Sequence, residues 1–340
     1  MKQKLTNRIS EVANNIQFSG TVLVTRNDDV ELETSYGYAN RSEQIANNNQ
    51  TRFGIASGCK LFTAIAICQL VESGEISFET KLSDCLKFNF PQFDRSITIH
   101  HLLTHTSGIP DYFDEEEMDD FEELWVEQPM YLLRNLEDFL PLFQQKAMKY
   151  KMGERFHYNN AGYILLGLIV EHISGMKFDA YIKQHVFGKA AMNSSGYFEF
   201  DALPKDTAIG YIDFDDGDWK TNIYSLPVKG GSDGGAFTNT RDMNQLWNAL
   251  FNHKLLNETY TEKLLTKHTE TDEDDQFYGY GIWIEQEEET ITKYHVMGYD
   301  PGVSFHSAYY PNQEKIVTVC SNQSEGAYDI FLEIEKSNVE

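Results

Sequence analysis

Apolar positions follow three different rhythms along this chain. Near the start, Ile9, Val12, Ala13 and Ile16 recur at helical spacing without merging into a continuous apolar run. Gly20 to Thr25 (GTVLVT) is then rich in β-branched residues, and Val30 to Tyr36 resumes after the turn-forming Asn27-Asp28-Asp29, so the two read as a hairpin. From Ser57 onward Leu61, Phe62, Ile65, Ile67, Leu70 and Val71 make a helix that is apolar nearly all round, closed by Gly74. Such a helix belongs in an interior.

The middle, 77–211, reads as mainly helical, with stretches at Leu102 to Thr106, Leu136 to Gln145 and Ala161 to Ile173 separated by Gly and Pro breakers. Strand patterns return at Tyr280 to Glu285, Val303 to Tyr310 and Lys315 to Ser321, interrupted by a helix near Asp242 to Phe251. Strands at both ends with helices between predict one sheet whose termini meet. The expected division is a sheet domain of residues 1–76 and 212–340 carrying a mainly helical region, 77–211.

Composition narrows the function more than the fold. At 340 residues and 41% hydrophobic the chain can bury a substantial core. Its 28 Lys+Arg against 53 Asp+Glu give a formal charge of −25, a field that repels nucleic acid and anionic membranes and favours cationic partners. No apolar run approaches the roughly 18 residues of a spanning helix, and no secretory h-region is visible. Cys59, Cys68, Cys85 and Cys320 show no ligand-like spacing and fit reduced thiols. A cytoplasmic location is the expectation, although a processed exported form would look the same. The acidic runs Asp114 to Glu123 and Asp272 to Asp275 are expected to be solvated loops or helix faces.

Candidate chemistry begins at Ser57-Gly58-Cys59-Lys60, an S-x-x-K at a helix start that puts hydroxyl and amine one turn apart on one face. A desolvated amine can take the serine proton, and the helix N-terminus offers N–H groups to an oxyanion. The motif alone is weak, since taken by itself it is better read as an ordinary N-cap with a lysine in the first turn. Ser174-Gly175-Met176-Lys177 also matches, but there the glycine ends a helix. Cys59 lacks a positioned histidine and reads as a packed thiol. Tyr158-Asn159-Asn160 sits in a turn leading into an apolar helix, where a phenolate beside Lys60 would act as base and the Asn160 amide would bind a substrate carbonyl. His101 and His105 lie at i and i+4 but lack the glutamate of H-E-x-x-H, so they are read as structural and no metal is expected.

Taken together, these motifs resemble the serine β-lactamase and penicillin-binding-protein family, in its class C β-lactamase and D-aminopeptidase-like branch. The segment Ile97 to Tyr112 (ITIHHLLTHTSGIPDY) is similar to the family's stretch between the two motifs. Gly230 to Asp242 (GGSDGGAFTNTRD) and Asp300-Pro301-Gly302-Val303-Ser304-Phe305 follow in the family's order. The resemblance implies a β-lactamase-like α/β fold of the α+β type. Its parts are a mostly antiparallel sheet flanked by helices and an inserted helical region, with the active site between them. It assigns Ser57 as acylated nucleophile, Lys60 and Tyr158 as the acid/base pair, and Asn160 as a carbonyl contact, without cofactor or metal. The oxyanion hole is expected from the Ser57 N–H and a backbone N–H on a late strand.

The family's third motif, K-T-G or H-x-G, departs here. Gly298 keeps the spacing to Pro301, but Val296 and Met297 precede it, and His295 falls one place early. A lysine there pairs with a substrate carboxylate, so efficient β-lactam hydrolysis is not expected. The expected activity is that of a serine hydrolase on an ester, amide or peptide-like acyl substrate. A slowly deacylating penicillin-binding protein and a non-catalytic binding or sensor module on the same fold are the alternatives. The oligomeric state is not readable from the sequence.

Overall fold

The computed structural model describes residues 2–118 and 120–337. Gly20–Arg26 (β1) and Asp29–Tyr36 (β2) form the expected hairpin. Asn27 and Asp28 take left-handed backbone at its turn, which their short polar side chains tolerate. The remaining strands of the main sheet are Thr269–Glu270 (β3), Gln276–Tyr278 (β4), Trp283–Glu287 (β5), Thr290–Asp300 (β6), Val303–Tyr310 (β7) and Lys315–Ser321 (β8). Among the described residues they make an eight-stranded sheet in the order β2-β1-β8-β7-β6-β5-β4-β3. All its pairings are antiparallel, and β1 lies against β8 with Gly20 opposite Ser321.

Helices cover both faces of this sheet. Lys2–Asn15 (α1) and Ala327–Lys336 (α5) bury Ile9, Ala13, Ile330, Phe331 and Ile334 against Val22, Val24, Val317 and Val319. On the other face lie Lys60–Glu72 (α2), Asn160–Ser174 (α3) and Thr240–Phe251 (α4), in a core with Phe305, Ile316 and Cys320. Every residue of α2 from Lys60 to Val71 is buried, as its all-round apolar pattern requires. No single helix among the described residues is long and apolar enough to cross a membrane.

Two expected elements differ in detail. Leu136 to Gln145 forms a 3-10 run, Leu136–Leu142, around Pro141, which cannot donate an α-helical hydrogen bond. The strand expected from Tyr280 starts only at Trp283, because Gly281 takes φ +70 in the β4–β5 turn. A Cβ at Gly281 would lie 2.8 Å from the Lys60 carbonyl oxygen. Only glycine lets this turn press on the first turn of α2.

Candidate active site

Ser57 sits in a 3-10 turn, Ala56–Cys59, immediately ahead of α2. Ala56 adopts φ +44, a costly conformation for a residue with a Cβ and one that packing must hold. Lys60 is the first residue of α2 and only 2% exposed. The three-residue spacing brings its Nζ within 2.8 Å of Ser57 Oγ. Two further oxygens complete its surroundings, Asn160 Oδ1 at 2.7 Å and the Asp233 carbonyl at 2.8 Å.

Strand β6 closes the other side of the nucleophile. Its pairing with β5 ends at His295, opposite Trp283, and the backbone beyond runs against the Ser57 turn. A Cβ at Gly298 would stand 2.2 Å from the Ile55 carbonyl oxygen and 2.8 Å from the Ser57 nitrogen. Glycine is therefore obligatory at this position, and it brings β6 main chain beside the Ser57 N–H, where an oxyanion would collect two donors.

Tyr158 stands just ahead of α3 and Asn160 opens it, with Asn159 between them capping the helix by accepting the Gly162 N–H at 2.7 Å. The Tyr158 ring lies beneath Lys60, with Nζ 4.8 Å from its centroid, and is packed between His105 and Trp283. Burial, helped by Glu115, pushes its phenol well above the ordinary range, and a hydrogen bond with Ser57 opposes this only in part. A shift in this direction favours the protonated phenol. From sequence Tyr158 is expected to form an acid/base pair with Lys60 and to take a phenolate's role as base; its burial favours the acid's role within that pair.

These groups open into a cleft of about 830 Å³ walled by Phe113, Phe121, Phe139, Phe214 and Met297. Among the described residues its charged wall is Glu115, Asp120, Glu122, Lys220, Asp233 and Asp300, and Lys220 is tied to Glu122 at 2.6 Å. Burial and the neighbouring Asp233 push the Asp300 carboxyl up to about 8, with Lys60 opposing. Asp300 keeps part of its surface open to the cleft, so entering water tempers that push. Of the third motif, Met297 and Gly298 form cleft wall, whereas His295 is buried with its Nε2 3.1 Å from Glu285 Oε1. Its ring is held beside Glu285 and Trp283 and is not among the residues that wall the cleft, so it does not replace the missing group.

The structure corrects the reading of the first acidic run as merely solvated. Asp114 is buried against Lys149 and His157, and Glu115 borders the cleft; Asp119 lies outside the described residues. His101 caps its own helix through Thr98, and buried His105 accepts the Asn159 N–H at 3.0 Å. Cys59 has its thiol pushed up to about 12 by burial, a poor nucleophile. Sequence reasoning gave no role to Asp111, Tyr112, Asp233, Trp283 or Asp300. Four of them sit in or beside the quoted segments, but only three-dimensional contact distinguishes them from their neighbours.

Comparison with known proteins agrees with this geometry. The model of the Beta-lactamase family matches residues 6–334. Penicillin-binding protein 4* of Bacillus subtilis (strain 168) is 29% identical over 326 residues, covering 91% of this chain and 69% of that protein. The crystal structure of a penicillin binding protein from Bacillus halodurans is 61% identical with a TM-score of 0.93, covering 96% of this chain and 99% of that one. D-amino acid amidase from Ochrobactrum anthropi SV3, complexed with L-phenylalanine amide, shares the fold at TM-score 0.78 and 18% identity, over 98% and 99% of the two chains. With its family-wide match, its antiparallel sheet and its lysine against a helix-start serine, the chain belongs to the Beta-lactamase family.

Proposed function

We propose that this protein is a serine acyl-transfer hydrolase that acts through a Ser57 acyl-enzyme on esters or amides lacking a carboxylate near the scissile bond. The observation that carries the reading is Lys60 Nζ at 2.8 Å from Ser57 Oγ at the floor of an apolar cleft. In its neutral form Lys60 takes the proton as Ser57 Oγ bonds to the carbonyl carbon. The Ser57 N–H and a β6 N–H receive the oxyanion. Collapse breaks the bond to the leaving group, which takes the Tyr158 hydroxyl proton, and the Lys60 ammonium refills Tyr158. Water then repeats the sequence to free the acid. Asn160 holds Lys60 through its oxygen and can meet a substrate carbonyl only by giving up part of its present bonding.

The acyl group's charge follows from the wall of the cleft. Glu115, Asp233 and Asp300 share the wall with aromatic residues, Lys220 is already paired with Glu122, and Lys60 is held by Ser57, Asn160 and the Asp233 carbonyl. A substrate carboxylate would be desolvated there without a partner, whereas an ammonium or neutral group would not. The amidase neighbour's amide ligand directs the choice of panel to amino acid amides and esters. A matched series bearing ammonium, hydrogen or carboxylate at one position should give kcat/KM at least about tenfold higher for the first two than for the last. Preference for the carboxylate would overturn the substrate assignment. Failure of a fluorophosphonate to label folded protein would overturn the enzyme and favour a binding module.

A further inference from the structure

We propose that the consecutive residues Asp111 and Tyr112 are positioning residues that aim Lys60 at Ser57, each by fixing one of the two oxygens that occupy the lysine's N–H bonds. The inference rests on Ser57 and Lys60 acting as nucleophile and base. It adds what makes that lysine a base rather than a bystander.

The requirement comes from the chemistry of an amine. A neutral primary amine carries two N–H bonds and one lone pair. It can accept the serine proton only if the lone pair faces Oγ, so both N–H bonds need acceptors elsewhere. Asn160 Oδ1 and the Asp233 carbonyl are those acceptors, and Ser57 Oγ is the third contact.

Neither acceptor is oriented by its own connection to Lys60 alone. An asparagine amide can present oxygen or nitrogen, and with nitrogen facing inward Asn160 would compete for the lone pair. Asp111 decides the matter. Its Oδ2 accepts the Asn160 backbone N–H at 2.6 Å and lies 3.3 Å from Asn160 Nδ2, which also donates to the Phe113 carbonyl at 3.2 Å. With the amide nitrogen held on that side, Oδ1 turns to Lys60. Asp111 is itself held by the N–H groups of Ala161, at 2.9 Å, and Tyr112, at 2.7 Å. Burial pushes its carboxyl up to about 7, and the same N–H groups oppose that push; the N-terminus of the 15-residue α3 beside it also favours the anion.

Tyr112 sets the second acceptor. Its buried hydroxyl donates to Asp233 Oδ2, so the side chain of that residue is tied on one side while its carbonyl faces Lys60. A buried carboxylate deprived of this donor would turn toward another, carrying the peptide with it. One dipeptide therefore serves two acceptors that stand 73 residues apart in sequence, at positions 160 and 233.

Tyr112→Phe, Asp111→Asn and Asp111→Ala in the full chain test this, with kcat, KM, fluorophosphonate labelling rate and melting temperature measured for each. Tyr112→Phe should lower kcat and the labelling rate about 10- to 100-fold while KM stays within about threefold. Asp111→Ala should lose more than Asp111→Asn, which keeps one oxygen. A Tyr112→Phe protein that melts like wild type and keeps kcat within about twofold would overturn the proposal, as would a loss confined to KM. Should the Asp111 variants not fold, Tyr112→Phe still decides, since it removes a single oxygen atom. Ser57→Ala and Lys60→Ala run alongside separate the two levels. If they retain activity the mechanism fails, and if they are inactive while Tyr112→Phe is not, only the positioning role fails.

Discussion

Two buried lysines on opposite sides of β6 have opposite surroundings. Lys60, beside the cleft, meets three neutral oxygens, those of Ser57, the Asn160 amide and the Asp233 main chain. Lys293, 8% exposed beneath α5, lies between two carboxylates, Glu285 at 2.9 Å and Glu335 at 3.0 Å. Burial works against the charge on Lys293, but Glu335 and Glu285 outweigh it and hold the ammonium above its ordinary range. A carboxylate contact pins a proton, whereas neutral acceptors hold an amine in place without deciding its charge. Burial alone therefore does not mark a reactive lysine; the two differ in what they touch directly, carboxylates for Lys293 and uncharged oxygens for Lys60, with Asp233 and Asp300 acting on Lys60 without a direct carboxylate contact.

Exchanging the two lysines for methionine should break the symmetry most sharply. Lys60→Met should cost at least about 1,000-fold in kcat/KM because the serine loses its base, while the fluorophosphonate labelling rate falls with it. Lys293→Met should leave kcat/KM within about threefold and instead lower the melting temperature. A fully buried pair would cost about 3–5 kcal/mol when broken, and partial exposure of Glu285 and Glu335 reduces this to about 2 kcal/mol. Calorimetry and steady-state kinetics on the two proteins check both halves, and a Lys293→Met enzyme as inactive as Lys60→Met would refute the contrast.

Tyr158→Phe comes next in size. Lys60 remains, but the leaving group loses its proton donor, so kcat should fall about 100- to 1,000-fold. Because the deficit lies in protonating the departing group, it should shrink for leaving groups that need no proton, such as a nitrophenolate. Equal losses for amides and activated esters would show that the phenol has another task.

The smallest effect separates the two regions by pH. Burial and Asp233 push the Asp300 carboxyl, in the cleft, up to about 8 from 3.8, an effect that water in the cleft reduces, so its contribution to stability is full below 3.8 and lost as pH rises toward 8. Glu285, behind the sheet, is pushed up by burial but drawn down to about 2 by His295 and Lys293. Its contribution is present above 4.5 and lost as pH falls toward 2. Asp300→Asn should therefore raise the melting temperature at pH 9 by about 2 °C or more relative to its effect at pH 4. Glu285→Gln should lower it at pH 7 and make little difference near pH 2. Parallel pH curves for the two variants would remove the distinction.

Much of the frame was legible from local pattern. β7 and β8 occupy the expected Val303–Tyr310 and Lys315–Ser321, because a β-branched run bounded by turn residues needs no distant information. Proximity of Ser57 and Lys60 was legible for the same reason, since three residues at a helix start share a face. The third motif was legible as a departure from the family's spacing, but the place of His295 was not, since its contact with Glu285 follows from the pairing of β5 with β6. The acidic run at Asp114 was misread because a charge run carries no sign of the Lys149 and His157 that meet it.

The chain on its own determined which segments become strand or helix, that a hydroxyl and an amine stand one turn apart, and that the net field is acidic; these depend on neighbours within a few bonds or on composition. Folding decided what the amine touches. Asn160 and Asp233 reach Lys60 from 100 and 173 positions away, and the charge state of a buried group depends on partners at hydrogen-bond distance, which sequence separation does not encode.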